Sequence, residues 1–255
     1  QESAYLSEIK PVFYYQFQTP KVTAAAGIFT RDMMHDDDYS TAFFSESERF
    51  FHNRMNGVLA QYNGKRDSYV EFVCDWEGMY STLSREKFRI LLAGRHYLDT
   101  FYYGFNYSMF HYAGQQGAPI ENVVDLQLLN PCVGVRFNAF FDFDIKLGAL
   151  LTAQRDRSFG HSWEKPCMGE FAFRISRWGL SLDERLYVGD NIHPFFYGHE
   201  LEDGTPLPYG RELYPAESFF RTDQKVYSRT ALSYRRSFFN DTVSVRAEFA
   251  AHHDG

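Results

Sequence analysis

The chain has 255 residues, a length that one all-β domain can occupy from end to end. Its 26 Lys and Arg against 33 Asp and Glu give a net charge of -7, which argues against a nucleic-acid partner, because phosphates favour a basic face. Aromatic residues make up 18% of the chain, which suits a lipid-facing band but also enriches any β-rich core. No run approaches the ~20 apolar residues that a membrane-spanning helix needs.

Alternation of apolar and polar residues predicts β-strands along the whole chain, because successive strand side chains point to opposite faces. The strongest example runs from Cys132 to Gln154, where the odd-numbered residues are apolar and most even-numbered ones are polar. This run is about twice the ~9–11 residues of a spanning strand, so it predicts two strands with a tight turn at 141–144. Only the short segment 45–53 suggests a helix. The predicted strands, in chain order, are 11–18, 21–30, 55–63, 68–80, 86–97, 101–112, 126–140, 143–154, 167–176, 179–188, 225–236 and 242–252.

The connections between these strands have two sizes that nearly alternate, and the short link at 82–85 breaks the alternation. Short turns at one end and long loops at the other are typical of an outer-membrane barrel. The sequence therefore predicts one all-β domain over 1–255, an antiparallel transmembrane β-barrel with short periplasmic turns and long extracellular loops. A large soluble barrel or sandwich is the alternative. The short connections are 19–21, 64–67, 98–100, 177–179 and 237–241, and the long ones are 31–54, 113–125, 155–166 and 189–224.

The two ends of the chain do not fit a complete barrel of this kind. Both fall on the long-loop side, and the last predicted strand is followed by His252-His253-Asp254-Gly255 rather than by an aromatic residue. We therefore expect further strands, with 14–16 in the complete protein. We also expect export to the bacterial outer membrane through a signal peptide that this chain lacks.

Several short stretches resemble the uncharacterised porin-like outer-membrane barrels of the Bacteroidota type. The resemblance covers most of the chain through loosely specified motifs, and it implies fold and location but no chemistry. The stretches are Ala26 to Arg31, Tyr39 to Phe44, Gln61 to Lys65, Gly94-Arg95, Gln154 to Arg157, Tyr187 to Asp190, and Arg211 to Tyr214 leading to Ser218 to Phe220.

The alternation also assigns faces to individual side chains. An apolar set is predicted to face lipid, namely Phe72, Ile90, Phe105, Val135, Phe137 and Phe173. Charged residues are predicted to face the lumen, where they either pair into an ionic plug or line water and bias permeation by charge. The predicted lumen-lining residues are Glu71, Asp75, Glu77, Arg89, Arg95, Arg136, Asp142, Lys146, Glu170, Arg174, Arg229, Arg235, Arg246 and Glu248.

The connection 189–224 is predicted to be functional, because unstructured connections beyond ~12–15 residues are uncommon. Its aromatic content argues against plain disorder. It could constrict the barrel mouth or dock a partner, and a mobile external loop is the alternative. The residues singled out for this role are His193, Phe195, Phe196, Tyr197, Arg211, Glu212, Tyr214 and Phe219.

Catalytic and metal-binding motifs are absent from the sequence, so we expect no enzyme activity, no metal and no cofactor. Asp36-Asp37-Asp38 suits a solvated loop better than a cation site. The three cysteines allow one disulfide but require none. The predicted function is a porin-like passage for small solutes or ions, with outer-membrane lipid and other outer-membrane proteins as partners. An accessory subunit of an outer-membrane assembly and a hydrolase using His161-Ser162 remain the alternatives.

Overall fold

One antiparallel sheet of twelve strands, ordered as in the chain, makes up almost all of the regular structure. The structure is a computed structural model that describes residues 11–118, 123–157, 162–193, 213–222, 224–239 and 242–255. The strands are β1 (Phe13–Gln18), β2 (Val22–Thr30), β3 (Arg54–Asn63), β4 (Tyr69–Gly78), β5 (Lys87–Leu98), β6 (Phe101–Tyr112), β7 (Val124–Asn138), β8 (Asp142–Asp156), β9 (Cys167–Arg177), β10 (Leu180–Gly189), β11 (Val226–Phe238) and β12 (Val243–Asp254).

The predicted all-β class and the twelve antiparallel strands are confirmed, with one turn displaced. The turn between β7 and β8 lies at residues 139–141 instead of 141–144. The ladder continues to the end of β7 through the pairs Phe137↔Phe143 and Asn138↔Asp142. The rings of Phe137 and Phe143 stack at 4.9 Å, and the Asn138 amide donates to Asp142. These side-chain contacts keep residues 142 and 143, which were predicted to lie in the turn, in the first part of β8.

The helical elements bounded within the described residues are short. The α-helix α1 (Glu46–Phe51) begins after Ser45, whose hydroxyl accepts the Glu48 N–H at 3.0 Å, an N-cap that agrees with the predicted helical segment 45–53. Three 3-10 turns cover Arg31–Met33, Asp36–Asp38 and Ser218–Arg221. Among the described residues, no helix is both long enough and apolar enough to cross a membrane.

Short and long connections alternate without exception, because the β4–β5 connection covers 79–86 and is longer than the sequence suggested. The short turns lie at one end of the sheet, here called the turn end, and the long connections lie at the opposite loop end. In the two-residue turn after β9, Trp178 and Gly179 both adopt positive φ, 54° and 83°, as a tight hairpin with the twist of its strands requires. The long connections are 31–53, 79–86, 113–123, 157–166 and 190–225.

Closure of the sheet, which the sequence predicted, is not observed. β1 pairs with β2 and β12 pairs with β11, and no pairing among the described strands joins β1 to β12. β1 pairs with β2 over only six residues, and its side chains are exposed on both faces, as are most of those of β12. The sheet therefore has two free edges.

The two faces of the sheet differ in polarity. On the outer face, Phe72, Phe105, Val135 and Phe137 are exposed, while Ile90 and Phe173 are half-buried. The inner face carries buried charged residues together with buried apolar ones, and the largest hydrophobic cluster of the molecule lies against it. Large apolar side chains are thus exposed on the outer face, while the inner face combines buried charges with the largest hydrophobic cluster.

Candidate functional site: the inner face and the segment packed on it

The connection 31–53, here called the inner segment, packs against the inner face of the sheet. Residues 39–45 are all buried, and the rings of Tyr39 and Phe44 are completely inaccessible. This stretch reads Tyr-Ser-Thr-Ala-Phe-Phe-Ser and contains no charge, so burying it leaves no ionised group to compensate. Phe43 and Phe44 join a hydrophobic cluster that includes Val73, Leu91 and Leu128 from three strands.

Glu71 on β4 is the main polar anchor of the inner segment. Its buried carboxylate accepts the His35 N–H at 2.8 Å, the Tyr39 hydroxyl at 3.2 Å and the Gln61 amide at 2.7 Å. The same Gln61 amide donates to the Met33 carbonyl at 2.7 Å. Burial and the neighbouring Glu71 carboxylate raise the pKa of Tyr39 well above its usual value, so the phenol stays protonated and remains a donor.

Asp36 and Asp38, the two ends of the acidic run, form internal ion pairs. Asp36 contacts Arg49 at 3.1 Å, while Asp38 accepts the Tyr69 hydroxyl at 2.6 Å and pairs with Arg95 at 3.0 Å. No group of three or more potential metal ligands occurs in the described part of the chain. These aspartates therefore fasten the inner segment to its own helix and to β4 and β5.

Two arginines share one aromatic ring at the centre of the inner face. The Arg31 guanidinium lies 4.0 Å from the centre of the Phe44 ring, and that of Arg89 lies 5.3 Å from it and 4.6 Å from Phe110. Arg89 also pairs with Glu77 at 3.2 Å. Burial lowers the pKa of Arg31, and the nearby positive charge of Arg89 acts in the same direction.

A second polar cluster anchors the inner segment on β7 to β10. Glu170, which is fully buried, accepts Lys146 at 3.0 Å, the Asn130 amide at 2.9 Å and the Tyr187 hydroxyl at 3.2 Å. The Tyr187 hydroxyl lies 3.0 Å from the Ser40 hydroxyl of the inner segment. The inner segment is thus hydrogen-bonded to strands on both sides of the interior.

Part of the long connection after β10 also enters the interior. The Ser45 N–H donates to the Pro215 carbonyl at 2.7 Å, and the Glu217 N–H donates to the Thr41 carbonyl at 3.1 Å. The Tyr214 hydroxyl donates to Gln154 of β8 at 2.7 Å. The inner segment and the described stretch 213–222 therefore pack together on the inner face.

The residues singled out in 189–224 fall into two groups. His193, Tyr214 and Phe219 are buried, and the rings of His193 and Tyr214 lie 4.2 Å apart. The other residues assigned to this loop lie outside the described residues, namely Phe195, Phe196, Tyr197, Arg211 and Glu212. His161 also lies outside them, whereas Ser162 is exposed.

The charged residues predicted for the lumen occupy the inner face to different depths. Those buried there are Glu71, Asp75, Arg89, Lys146, Glu170 and Arg229. Those nearer the turn end or the free edge are more accessible, namely Arg95, Arg136, Arg174, Arg235, Arg246 and Glu248. Asp142 at the start of β8 is exposed and bonded to Asn138. The recurring pairs, such as Lys146–Glu170 and Arg89–Glu77, agree with the interpretation that many of these charges cross-pair.

One cavity beside the inner segment follows the strands lengthwise. It measures about 560 Å³ and is lined along β11 by Arg229, Ala231, Ser233 and Arg235. At about 3.4 Å per residue, these alternate positions span roughly 20 Å of strand. Its other wall is the polar side of the inner segment, with Asp32, Asp36, Glu46 and Arg49. Two further cavities of about 660 Å³ and 380 Å³ open at the loop end and the turn end.

Sequence reasoning assigned 189–224 as a constriction or partner-docking loop and did not single out the inner segment as a functional element. The uncharged run from Tyr39 to Phe44 was the available signal, because six consecutive uncharged residues in an otherwise acidic connection indicate burial. The residues Glu46, Arg49 and Asp183, which shape the cavity, were also missed.

Comparison of the chain with protein-family models, curated proteins and solved structures gives no match.

Proposed function

We propose that this chain forms the wall of a porin-like outer-membrane β-barrel that passes small solutes or ions along the cavity beside the inner segment. The observation that carries the proposal is the reversed polarity of the sheet: Glu71, Glu170 and Arg229 are buried, while Phe72 and Phe105 are exposed. In water this distribution would expose apolar surface and bury charge, both at a free-energy penalty. Lipid outside would accommodate the apolar surface, and hydrogen bonds and ion pairs on the inner face compensate the buried charges.

The free edges of β1 and β12 require pairing in such an environment. A bilayer offers no water to unpaired backbone groups, so an open sheet edge cannot persist there. We propose that the edges are closed in the membrane, either by each other or by additional strands that bring the barrel to 14–16. The short periplasmic turns and the extracellular loops correspond to the turn end and the loop end.

The proposed route is narrow because the inner segment fills much of the interior. Its apolar side seals against β4, β5 and β7 through Phe43 and Phe44, and its polar side leaves the lengthwise charged cavity open. A polar path beside a packed plug restricts passage to small, hydrated species. We therefore expect a low unitary conductance.

The test is single-channel recording of the purified protein in planar bilayers. A variant in which residues 34–50 are replaced by a short Gly-Ser linker should fold and conduct several times more current than the unaltered protein, since strand pairing does not use these residues. The matched control replaces 115–118, another loop-end stretch that is largely accessible. If neither the unaltered protein nor the 34–50 variant conducts, although each is shown to be folded and inserted, the pore is contradicted.

The second candidate is a structural or accessory subunit of an outer-membrane assembly. The observation that favours it is the packed hydrophobic cluster between the inner segment and the sheet, which closes much of the interior. A partner at the loop end would then contact the connections rather than a permeating solute. Co-purification of a stoichiometric partner in mild detergent, together with no conductance even after removal of the inner segment, would support this candidate over the pore.

A further inference from the structure

Two arginines stand directly opposite each other on the inner face. Arg235 of β11 and Arg246 of β12 are cross-strand partners, and both line the 560 Å³ cavity near the turn end. Like charges at directly opposite positions destabilise a sheet. Such a pair is tolerated more easily if an anion lies between the two guanidinium groups.

The carboxylates near this pair do not supply enough negative charge to neutralise it. Asp183 is shared by Arg174 at 3.4 Å and Arg185 at 3.7 Å. Glu248 contacts Arg246 and also Arg229, the latter at 2.7 Å, and Arg229 has a second carboxylate partner in Glu46 nearer the loop end. Within the described residues, Arg174, Arg185, Arg235 and Arg246 therefore have only Asp183 and Glu248 between them.

Arg235 is the unneutralised member of the group. Its side chain has no ion pair with any carboxylate in the described part of the chain. The turn-end half of the cavity therefore carries an excess of positive charge, although the protein as a whole has a net charge of -7.

Hydroxyl donors lie next to these arginines. Ser181 and Ser233 are cross-strand partners whose hydroxyls lie 3.1 Å apart, and both line the same cavity. Planar guanidinium groups match the oxygens of a phosphate or carboxylate, and hydroxyls add further donors. The combination fits an oxyanion better than a halide.

We propose that Arg174, Arg235 and Arg246, with Ser181 and Ser233, form a binding site for a phosphate-type oxyanion at the turn end of the cavity. This arginine site gives the proposed pore a preference for anions, and that role rests on the proposed function. The site itself requires only that the inner face is accessible to solute. The phosphate group can belong to a free solute or to a lipid headgroup, since the recognising chemistry is the same.

Calorimetric titration with inorganic phosphate tests the site without any reference to conductance. The whole protein is kept in an uncharged detergent, and ionic strength is held constant with sodium chloride. The unaltered protein should bind phosphate, and the double variant Arg235→Gln/Arg246→Gln should bind at least about tenfold more weakly, as expected for the loss of charge-assisted hydrogen bonds. A thermal melt of each variant confirms folding.

Arg236→Gln is the matched control. It removes the same charge from the same strand, but Arg236 lies on the opposite face, with its guanidinium 5.3 Å from the centre of the Phe238 ring. Its phosphate affinity should equal that of the unaltered protein. Equal affinities of the double variant and the control would overturn the proposal. It would also be overturned if the unaltered protein bound neither inorganic phosphate nor short-chain phosphatidic acid.

A parallel titration with short-chain phosphatidic acid separates the two sources of phosphate. Binding of inorganic phosphate assigns the site to a free solute, and binding of phosphatidic acid alone assigns it to a lipid headgroup. In planar bilayers, the ratio of chloride to potassium permeability should fall in the double variant but not in Arg236→Gln. Phosphate binding without any conductance would contradict the pore while leaving the arginine site intact.

Discussion

Replacing Glu71 with Ala should release the inner segment from the sheet. The substitution leaves three buried donors without their acceptor: the His35 N–H, the Tyr39 hydroxyl and one Gln61 amide hydrogen. Gln61 lies on β3, so only the bonds from His35 and Tyr39 hold the inner segment. A hydrogen bond to a charged group contributes about 1.5–3 kcal/mol, and these two are coupled and only partly additive. We therefore expect the free energy that holds the inner segment closed to fall by about 4 kcal/mol. This corresponds to roughly a thousandfold rise in the open population.

Hydrogen–deuterium exchange of the amides in 34–45 measures that opening directly, because exchange from a closed segment reports its local opening equilibrium. Their exchange rates should rise by about three orders of magnitude in Glu71→Ala. Glu71→Gln keeps one carbonyl oxygen as acceptor and should show a smaller rise. Glu164→Ala removes an exposed carboxylate and serves as the charge control. Unchanged exchange in 34–45 for Glu71→Ala would refute the anchoring role.

Three further predictions concern the outer face, alkaline pH and the second loop. Leu147→Arg, in the middle of β8 and exposed, should destabilise the protein refolded into vesicles by about 2–4 kcal/mol in urea titrations. Phe137→Arg, one residue from the end of β7, should cost less, about 1–2 kcal/mol, from an arginine near the interface and the lost stacking on Phe143. Equal costs would contradict the lipid-facing assignment. Because the pKa of Tyr39 is raised in the folded state, its contribution to the stability of the docked segment is complete below pH 10 and is lost as the pH rises further. Proteolysis of the inner segment should therefore increase less between pH 9 and 11 in Tyr39→Phe than in the unaltered protein. Identical increases in the two proteins would contradict this reasoning. Tyr214→Ala should cost about 3–5 kcal/mol of loop docking, seen as faster cleavage within 189–224, with the strands still protected.

The strands were predictable because their signal is local. Alternation at Val70, Phe72, Cys74 and Trp76 reports the burial of each residue relative to its immediate neighbours, and this pattern does not depend on the rest of the fold. Register then follows from the turns, since a short hairpin fixes which residues face each other. The turn after β7 was misplaced because the stacked pair Phe137 and Phe143 is a cross-strand contact, which periodicity alone does not reveal.

The positions of the long connections were not predictable in the same way. The aromatic residues of 31–53 and of 189–224 suit an inward fold, an external cap and a docking surface equally well, because burial of a loop depends on partners distant in sequence. Ser40 forms a hydrogen bond with Tyr187, and Glu46 forms an ion pair with Arg229, although the partners lie far apart in the sequence. The interior was predicted as charged, but its hydrophobic cluster forms only when the inner segment supplies Phe43 and Phe44.

The inner segment separates a sealed part of the interior from an open one, and its own sequence explains the division. The uncharged run from Tyr39 to Phe44 packs on the sheet, while Glu46 and Arg49 of α1 face the charged cavity. Glu46 pairs with Arg229 across that cavity, so this ion pair narrows the proposed route without contributing to the apolar seal. The Glu71 anchor and the Glu46–Arg229 pair therefore control different properties: the first sets whether the segment stays docked, and the second sets the width of the cavity beside it.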